Sequence, residues 1–268
     1  MTARKQSKMP VSKKWLVDGF LRFTRRMVAK QFISFGIQRE LLDLSGIDEQ
    51  TPIVVYANHA SWWDPICAMQ IRHHAFPSRI FYAPIDADAL ANYRIMAKLG
   101  FYGLRLKTSS GASEFLAMTK LILESQNAAI FITPEGRFTD VRDYSVPLMP
   151  GLAHLASKSN QVAFIPMALE YAFWDESRPQ MFARLGAAMV SGGDTAPCSK
   201  SEWNELLTRR LRQTQSELAD SVISRDAGRF EHIIASRPIR LGWYDYFRSW
   251  ASRMEGKRFD PRHGSNKQ

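Results

Sequence analysis

Along the middle of the chain, short apolar runs alternate with longer stretches in which apolar positions recur at helical spacing. Pro52–Ala57, Arg79–Ala83, Tyr102–Leu106, Ala128–Thr133, Val162–Leu169 and Met181–Val190 are short runs rich in β-branched, aromatic and other apolar residues, the pattern of buried strands. Between them, Pro65–His74, Ala87–Leu99, Ala112–Ser125, Gly151–Ser157 and Lys200–Ser221 carry the helical pattern, and Ser199 is placed to cap the last. This alternation predicts an α/β fold, a sheet with helices packed on it. Gly192–Gly193–Asp194 reads as a turn and Gly256–Gln268 as a polar tail.

The N-terminal pattern differs. From Lys13 to Ile37 the apolar residues Trp15, Leu16, Phe20, Phe23, Met27, Val28, Phe32, Ile33, Phe35 and Ile37 recur near helical spacing, with Lys14, Arg22, Arg25, Arg26 and Lys30 interleaved. The expectation is an amphipathic helix or helix pair. No apolar run approaches the roughly 18 to 20 residues of a membrane span, and the basic start precedes no uninterrupted apolar core of a secretory signal. Two uses remain open: a helix lying in a membrane interface, or one packed on its own domain with a solvated basic face.

Charge sharpens this picture. The chain of 268 residues carries a net +10, with +9 in residues 1–39, −4 in 40–224 and +5 in 225–268. A polyanionic partner therefore meets the ends of the chain, and the apolar residues interleaved with the basic ones favour an anionic membrane surface over nucleic acid. With 45% hydrophobic and 23% charged residues, disorder, collagen-like repeats and coiled coils are excluded. Cys67 and Cys198 are too few for a disulfide framework and read as buried small hydrophobes of a reducing compartment. Near the C-terminus, Trp243, Tyr244, Tyr246, Phe247 and Trp250 lie among Arg240, Arg248 and Arg253, either as a second interfacial segment or as a docked helix.

Candidate chemistry sits at two strand ends, where ligands bind in α/β sheets. After Ile53–Ala57 the chain reads Asn58-His59-Ala60-Ser61-Trp62-Trp63-Asp64-Pro65, with Pro65 suited to the first turn of a helix. An Asp at that helix start, five residues after a His, can fix the imidazole tautomer and leave the second ring nitrogen to take a proton from a hydroxyl. Six His and 14 Asp produce about 0.3 such pairs by chance, so the pair gains weight only with the second strand end. There Thr133-Pro134-Glu135-Gly136-Arg137-Phe138 places a carboxylate, backbone amides and a guanidinium on one loop, able to orient a hydroxyl or hold a phosphate. His73–His74 has no partners at metal-ligand spacing, and no P-loop, Gly-x-Gly-x-x-Gly or Gly-x-Ser-x-Gly motif occurs. No metal site is expected.

Asn-His-x-x-x-x-Asp-Pro after one strand and Pro-Glu-Gly after a later one resemble the glycerophospholipid acyltransferases, the PlsC-like family that includes 1-acylglycerol-3-phosphate acyltransferases. Gly100–Lys107 (GFYGLRLK) and Val162–Met167 (VAFIPM) fall where that family carries its second and fourth blocks. The resemblance implies a mixed sheet flanked by helices, the glycerolipid acyltransferase fold, with an N-terminal amphipathic helical segment. It divides the chain into membrane-seating helices at 1–44, a catalytic domain at 45–225 and a basic, aromatic-rich segment at 226–268.

The activity implied is transfer of an acyl chain from acyl-CoA or acyl carrier protein to a lysophospholipid or related lipid, within phospholipid biosynthesis. His59 would be the general base and Asp64 its orienting partner, with no covalent acyl-enzyme and no cofactor beyond the acyl donor. Arg105, Lys107, Glu135, Gly136 and Arg137 would contact the acceptor. The third block departs from the common Phe-Pro-Glu-Gly-Thr-Arg-Ser, with Thr133 for the Phe and Phe138 where the arginine usually falls. Acyl transfer is thus expected more firmly than any one acceptor. The expected location is the cytoplasmic face of a membrane, peripheral or monotopic. The competing readings are a thioesterase and a non-enzymatic membrane- or nucleic-acid-binding protein.

Overall fold

The structure, a computed structural model of the chain, describes residues 9–39, 47–105, 108–125, 127–193, 197, 199–236, 250 and 254. Its centre is a mixed sheet of β1 (Ser34–Gln38), β2 (Ile53–Ala57), β3 (Ile80–Asp86), β4 (Phe101–Leu104), β5 (Ala128–Ile132), β6 (Ala163–Ala172), β7 (Gln180–Leu185), β8 (Met189–Val190) and β9 (Phe230–Ala235). The order is β4-β3-β5-β2-β6-β7-β1-β9, with β8 paired to β6. Strands β4, β3, β5, β2 and β6 run parallel, β7 is antiparallel to β6, β1 is parallel to β7, and β9 is antiparallel to β1.

Helices cover both faces. On one lie α1 (Lys14–Gln31) and α2 (Asp64–Ala75); on the other lie α4 (Ser109–Leu123), α5 (Pro150–Lys158) and α6 (Lys200–Ile223), with the short α3 (Ala87–Asn92) joining β3 to β4. Period-two alternation explains the two cores: Ile53, Val55 and Ala57 of β2 face the α1/α2 layer, whereas Val54 and Tyr56 face the α4/α5/α6 layer. Helix α6 begins with the expected Ser199 cap, which forms a reciprocal capping box with Glu202.

Several expected elements change. Residues 32–37, expected to continue the N-terminal helical segment, instead leave the helix after Gln31 and enter the sheet as β1. Phe35 and Ile37 point into the α1/α2 core, and Gly36 on the other face lies against Phe230. Full burial of each large side chain is worth roughly 1.5–3 kcal/mol, and the strand finds backbone partners on both sides in β7 and β9. The sheet thus takes in residues on the far sides of the 44/45 and 225/226 divisions. Helix α1 turns Val17, Leu21, Thr24 and Val28 inward, the packed arrangement, while Trp15 and Phe23 stay exposed beside Arg22, Arg25, Arg26 and Lys30.

The run Met181–Val190 splits into β7 and β8 around Gly186, where any Cβ would meet Pro166 and Thr214. Pro166 sits in this gap, between the β6 residues paired with β8 and those paired with β7, so its missing N–H interrupts no ladder. The stretch Ala87–Leu99 divides into α3 and a 3₁₀ turn at Met96–Leu99. Lys107, Cys198 and most of the C-terminal aromatic cluster lie outside the described residues. No helix among the described residues is long and apolar enough to cross a membrane.

Candidate active site

Parallel β2 and β5 are neighbours, so the loops after their carboxyl ends meet, although the two motifs are far apart in sequence. The first loop wraps around Asp64. This side chain is 3% exposed, and its Oδ2 accepts the N–H groups of Ala60 at 2.9 Å and Ser61 at 3.0 Å and the His59 ring Nδ1 at 2.7 Å. Its Oδ1 accepts the Tyr171 hydroxyl at 2.5 Å. A carboxylate saturated by donors needs Nδ1 as a donor too, which assigns the proton to Nδ1 and leaves the Nε2 lone pair of His59, one-fifth exposed, facing outward from this network.

Burial, and then the negative charge of Asp64 and its hydrogen bond, hold the Tyr171 phenol well above its usual range, so it stays a donor. Phe32, from the end of α1, packs edge-on against Trp63 and at 6.1 Å from the Tyr171 ring. Phe32, one of the apolar residues of the N-terminal segment, thus packs against the tyrosine that holds Asp64. Cys67 is buried and free, its sulfur 3.5 Å from the Tyr171 hydroxyl, and burial holds its thiol protonated.

The backbone of His59 is fixed from three sides. Asn58, fully buried, donates to the Leu169 carbonyl at 3.0 Å and accepts the Leu169 N–H at 2.9 Å, continuing the β2–β6 ladder with a side chain. The His59 N–H donates to Glu135 Oε2 at 3.0 Å, and the His59 carbonyl accepts the Thr139 N–H at 2.8 Å. Glu135 is buried and turned inward: Oε2 also accepts the Thr139 hydroxyl at 2.6 Å, and Oε1 accepts Arg212 at 2.8 Å. Glu135 was expected to touch the acceptor; its oxygens are instead occupied by the protein and hold the two loops together.

Gly136 makes this inward turn feasible. It lies at φ +65°, its N–H bonds the Thr133 carbonyl at 3.1 Å, and a Cβ there would fall 2.5 Å from Met149 Sδ. Arg137 follows on the surface, exposed and with no side-chain hydrogen bond or ion pair among the described residues. Phe138 lies over the His59 ring with centroids 4.2 Å apart, and the 84% exposed Trp62 sits 5.2 Å from Phe138. Arg105 belongs to the same end of the sheet but to the β4 edge, three strands or roughly 14 Å away at ordinary strand spacing, and its nearest acidic partner is Glu114 at 3.9 Å. The structure thus brings together His59, Asp64, Glu135 and Gly136, leaves Arg137 at the rim, and keeps Arg105 apart.

An apolar cavity of about 90 Å³ opens beside the pair, lined by His59 and Asp64 together with Ala68, Phe81, Phe101, Phe131, Met167 and Leu169. A larger cavity of about 240 Å³ lies between α4 and α5 on the opposite face, near Lys120, His154 and Lys158, and touches none of the expected site residues.

Residues 38–170 match the family model described as Acyltransferase. This stretch belongs to the acyltransferase family. The acyltransferase match takes in β2 to β5 and both site loops, and ends at Glu170. Acyl transfer is therefore the general chemistry of the domain. No curated protein matches the chain. Tyr171 and Arg212 lie beyond the matched stretch and were missed in the sequence. Nothing in the residue pattern separates Arg212 from Arg209 and Arg210 beside it, or Tyr171 from any other strand aromatic.

Proposed function

We propose that the chain transfers a fatty acyl group from acyl-CoA or acyl carrier protein to a hydroxyl of a lysophospholipid or related lipid. Nε2 of His59 takes the proton of the acceptor hydroxyl as its oxygen attacks the thioester carbonyl. The new O–C bond forms, the C–S bond breaks, and the imidazolium returns the proton to the departing thiolate. Asp64 supports the imidazolium during the step, and no acyl-enzyme forms. The observation that carries this reading is the oriented His59–Asp64 pair in the lining of an apolar cavity, in a domain of the acyltransferase family. That cavity suits the alkyl chain next to the thioester.

Among the described cations named for the acceptor, Arg137 beside Phe138 is better placed for a phosphate than Arg105 at the β4 edge. Trp15 and Phe23, exposed among the basic residues of α1, support seating on an anionic, cytoplasmic membrane face. The test is thiol release and lipid product from acyl-CoA or acyl carrier protein on anionic liposomes, with a panel of lysolipid acceptors and His59→Ala as control. Acceptor-dependent release that vanishes in the variant, with an acylated lipid as product, is expected. Release to free fatty acid without an acceptor would make the protein a thioesterase. Flotation with the liposomes that persists without Trp15 and Phe23 would overturn the seating.

A further inference from the structure

We infer that Arg212, on α6 and outside the family-matched stretch, is a positioning residue for the acyl-transfer site, acting on His59 through Glu135. The inference rests on His59 being the general base.

The Arg212 side chain is 12% exposed and the Glu135 side chain 1%. A carboxylate this buried demands a cation, because an unpaired charge in the interior is either neutralised or expelled. Arg212 supplies it, one guanidinium nitrogen donating to Glu135 Oε1 at 2.8 Å and to Gln215 Oε1 at 2.6 Å. The second arm of the fork donates to the Val146 carbonyl. With Oε1 held, Glu135 keeps Oε2 aimed at the His59 N–H and the Thr139 hydroxyl. A relay of three residues thus runs from α6 to the backbone of the base.

The same helix turn holds the rest of the second loop. Gln215 reaches the Val141 carbonyl at 3.4 Å, so Arg212 and Gln215 tie down Val141 and Val146 as well as Glu135. This loop carries Arg137 and Phe138, and Phe138 lies on the His59 ring. Lysine could neutralise Glu135 but could not reach Val146 with a second fixed arm, so the planar fork is what the geometry uses.

The effect expected is on kcat. Displacing a base by about 1 Å costs on the order of 100-fold, and Arg212 touches neither the cavity nor the rim where substrates would lie. Arg212→Met should therefore lower kcat about 10- to 100-fold while changing the donor KM less than about 3-fold, and Arg212→Lys should recover part of the loss. Proton NMR supplies a readout that a merely structural role would not move. The downfield signal of the His59 Nδ1 proton bound to Asp64, identified by its absence in His59→Ala, should broaden or shift in Arg212→Met.

Arg212→Met alone leaves a buried carboxylate without a cation and so threatens folding. Glu135→Gln removes that charge, so the double variant stays foldable. If Arg212 works through Glu135, adding Arg212→Met to Glu135→Gln changes kcat less than about 3-fold, the non-additivity of residues acting as a unit. A further drop of about 10-fold or more in the double variant, or wild-type kcat and NMR signal in folded Arg212→Met, would overturn the inference. Should His59→Ala itself retain activity, the reading of the base falls and this inference with it; inactive His59→Ala beside unaffected Arg212→Met removes the inference alone.

Discussion

The Tyr171 hydroxyl donates to Asp64 Oδ1 at 2.5 Å, on the oxygen opposite the one that holds His59. The strand β6 that carries Tyr171 is thereby coupled to the orientation of the imidazole. A hydrogen bond to a buried charged group contributes about 1.5–3 kcal/mol. Tyr171→Phe should lower kcat about 10- to 100-fold by leaving Oδ1 unsatisfied and the carboxylate free to rotate. Steady-state kinetics on the folded variant checks this; unchanged kcat would show that the three donors on Oδ2 suffice.

His59→Ala should reduce the rate by about 10²–10⁴-fold, the range a positioned general base supplies. Asp64→Asn keeps the shape but swaps a carboxylate for an amide, which removes the support of the imidazolium and turns an NH₂ group toward one set of donors. Its loss should approach that of His59→Ala, and the double variant should be scarcely worse than either. Multiplying losses in the double variant would mean that Asp64 acts on something other than His59.

Much of the central sheet was legible because Ile53–Ala57 and Ala128–Ile132 are continuous apolar runs, the mark of strands buried on both faces. The spacing of His59, Asp64 and the Glu135–Gly136 turn also pointed to one site, since parallel strands bring their carboxyl ends together. Phe35 and Ile37 fit a helical pattern because they follow Phe32 and Ile33 by three and four residues, while their own spacing of two equally fits a strand. Only the partners β7 and β9, which come from distant sequence, decide between the two. Glu135 was read as a ligand contact for a related reason. A carboxylate beside a site is taken to face substrate, and the cation that turns it inward comes from Arg212 on a helix with no spacing signal of its own.

Gly136→Ala tests the turn. The substitution forces an L side chain to φ +65° and drives its Cβ against Met149 Sδ, for a cost of about 1–3 kcal/mol. The thermal midpoint should fall by several degrees, and activity should fall further because the same turn aims Glu135. Adding Met149→Ala should relieve the steric part and leave the backbone part. Full recovery by Met149→Ala would show that the positive φ costs nothing here.

Stability should decline on the alkaline side. Burial raises the pKa of Cys67, Tyr56, Tyr102 and Tyr171 above their ordinary values, so the folded chain keeps protons that the unfolded chain releases near pH 8.5 for the thiol and about 10 for the phenols. A group whose folded pKa is raised contributes stability that is complete below its unfolded pKa and is lost as pH rises toward the folded one. Above about pH 8.5 the native state therefore binds more protons than the unfolded state, and the slope of unfolding free energy against pH turns negative. Urea midpoints at pH 7.5, 9 and 10.5 should fall in that order. Tyr171→Phe, which removes one of these protons, should fall less steeply between pH 9 and 10.5 than the parent chain, whatever its stability at neutral pH. An equal slope would mean that the Tyr171 phenol titrates alike in the folded and unfolded chains, and that Asp64 and burial exert no hold on it.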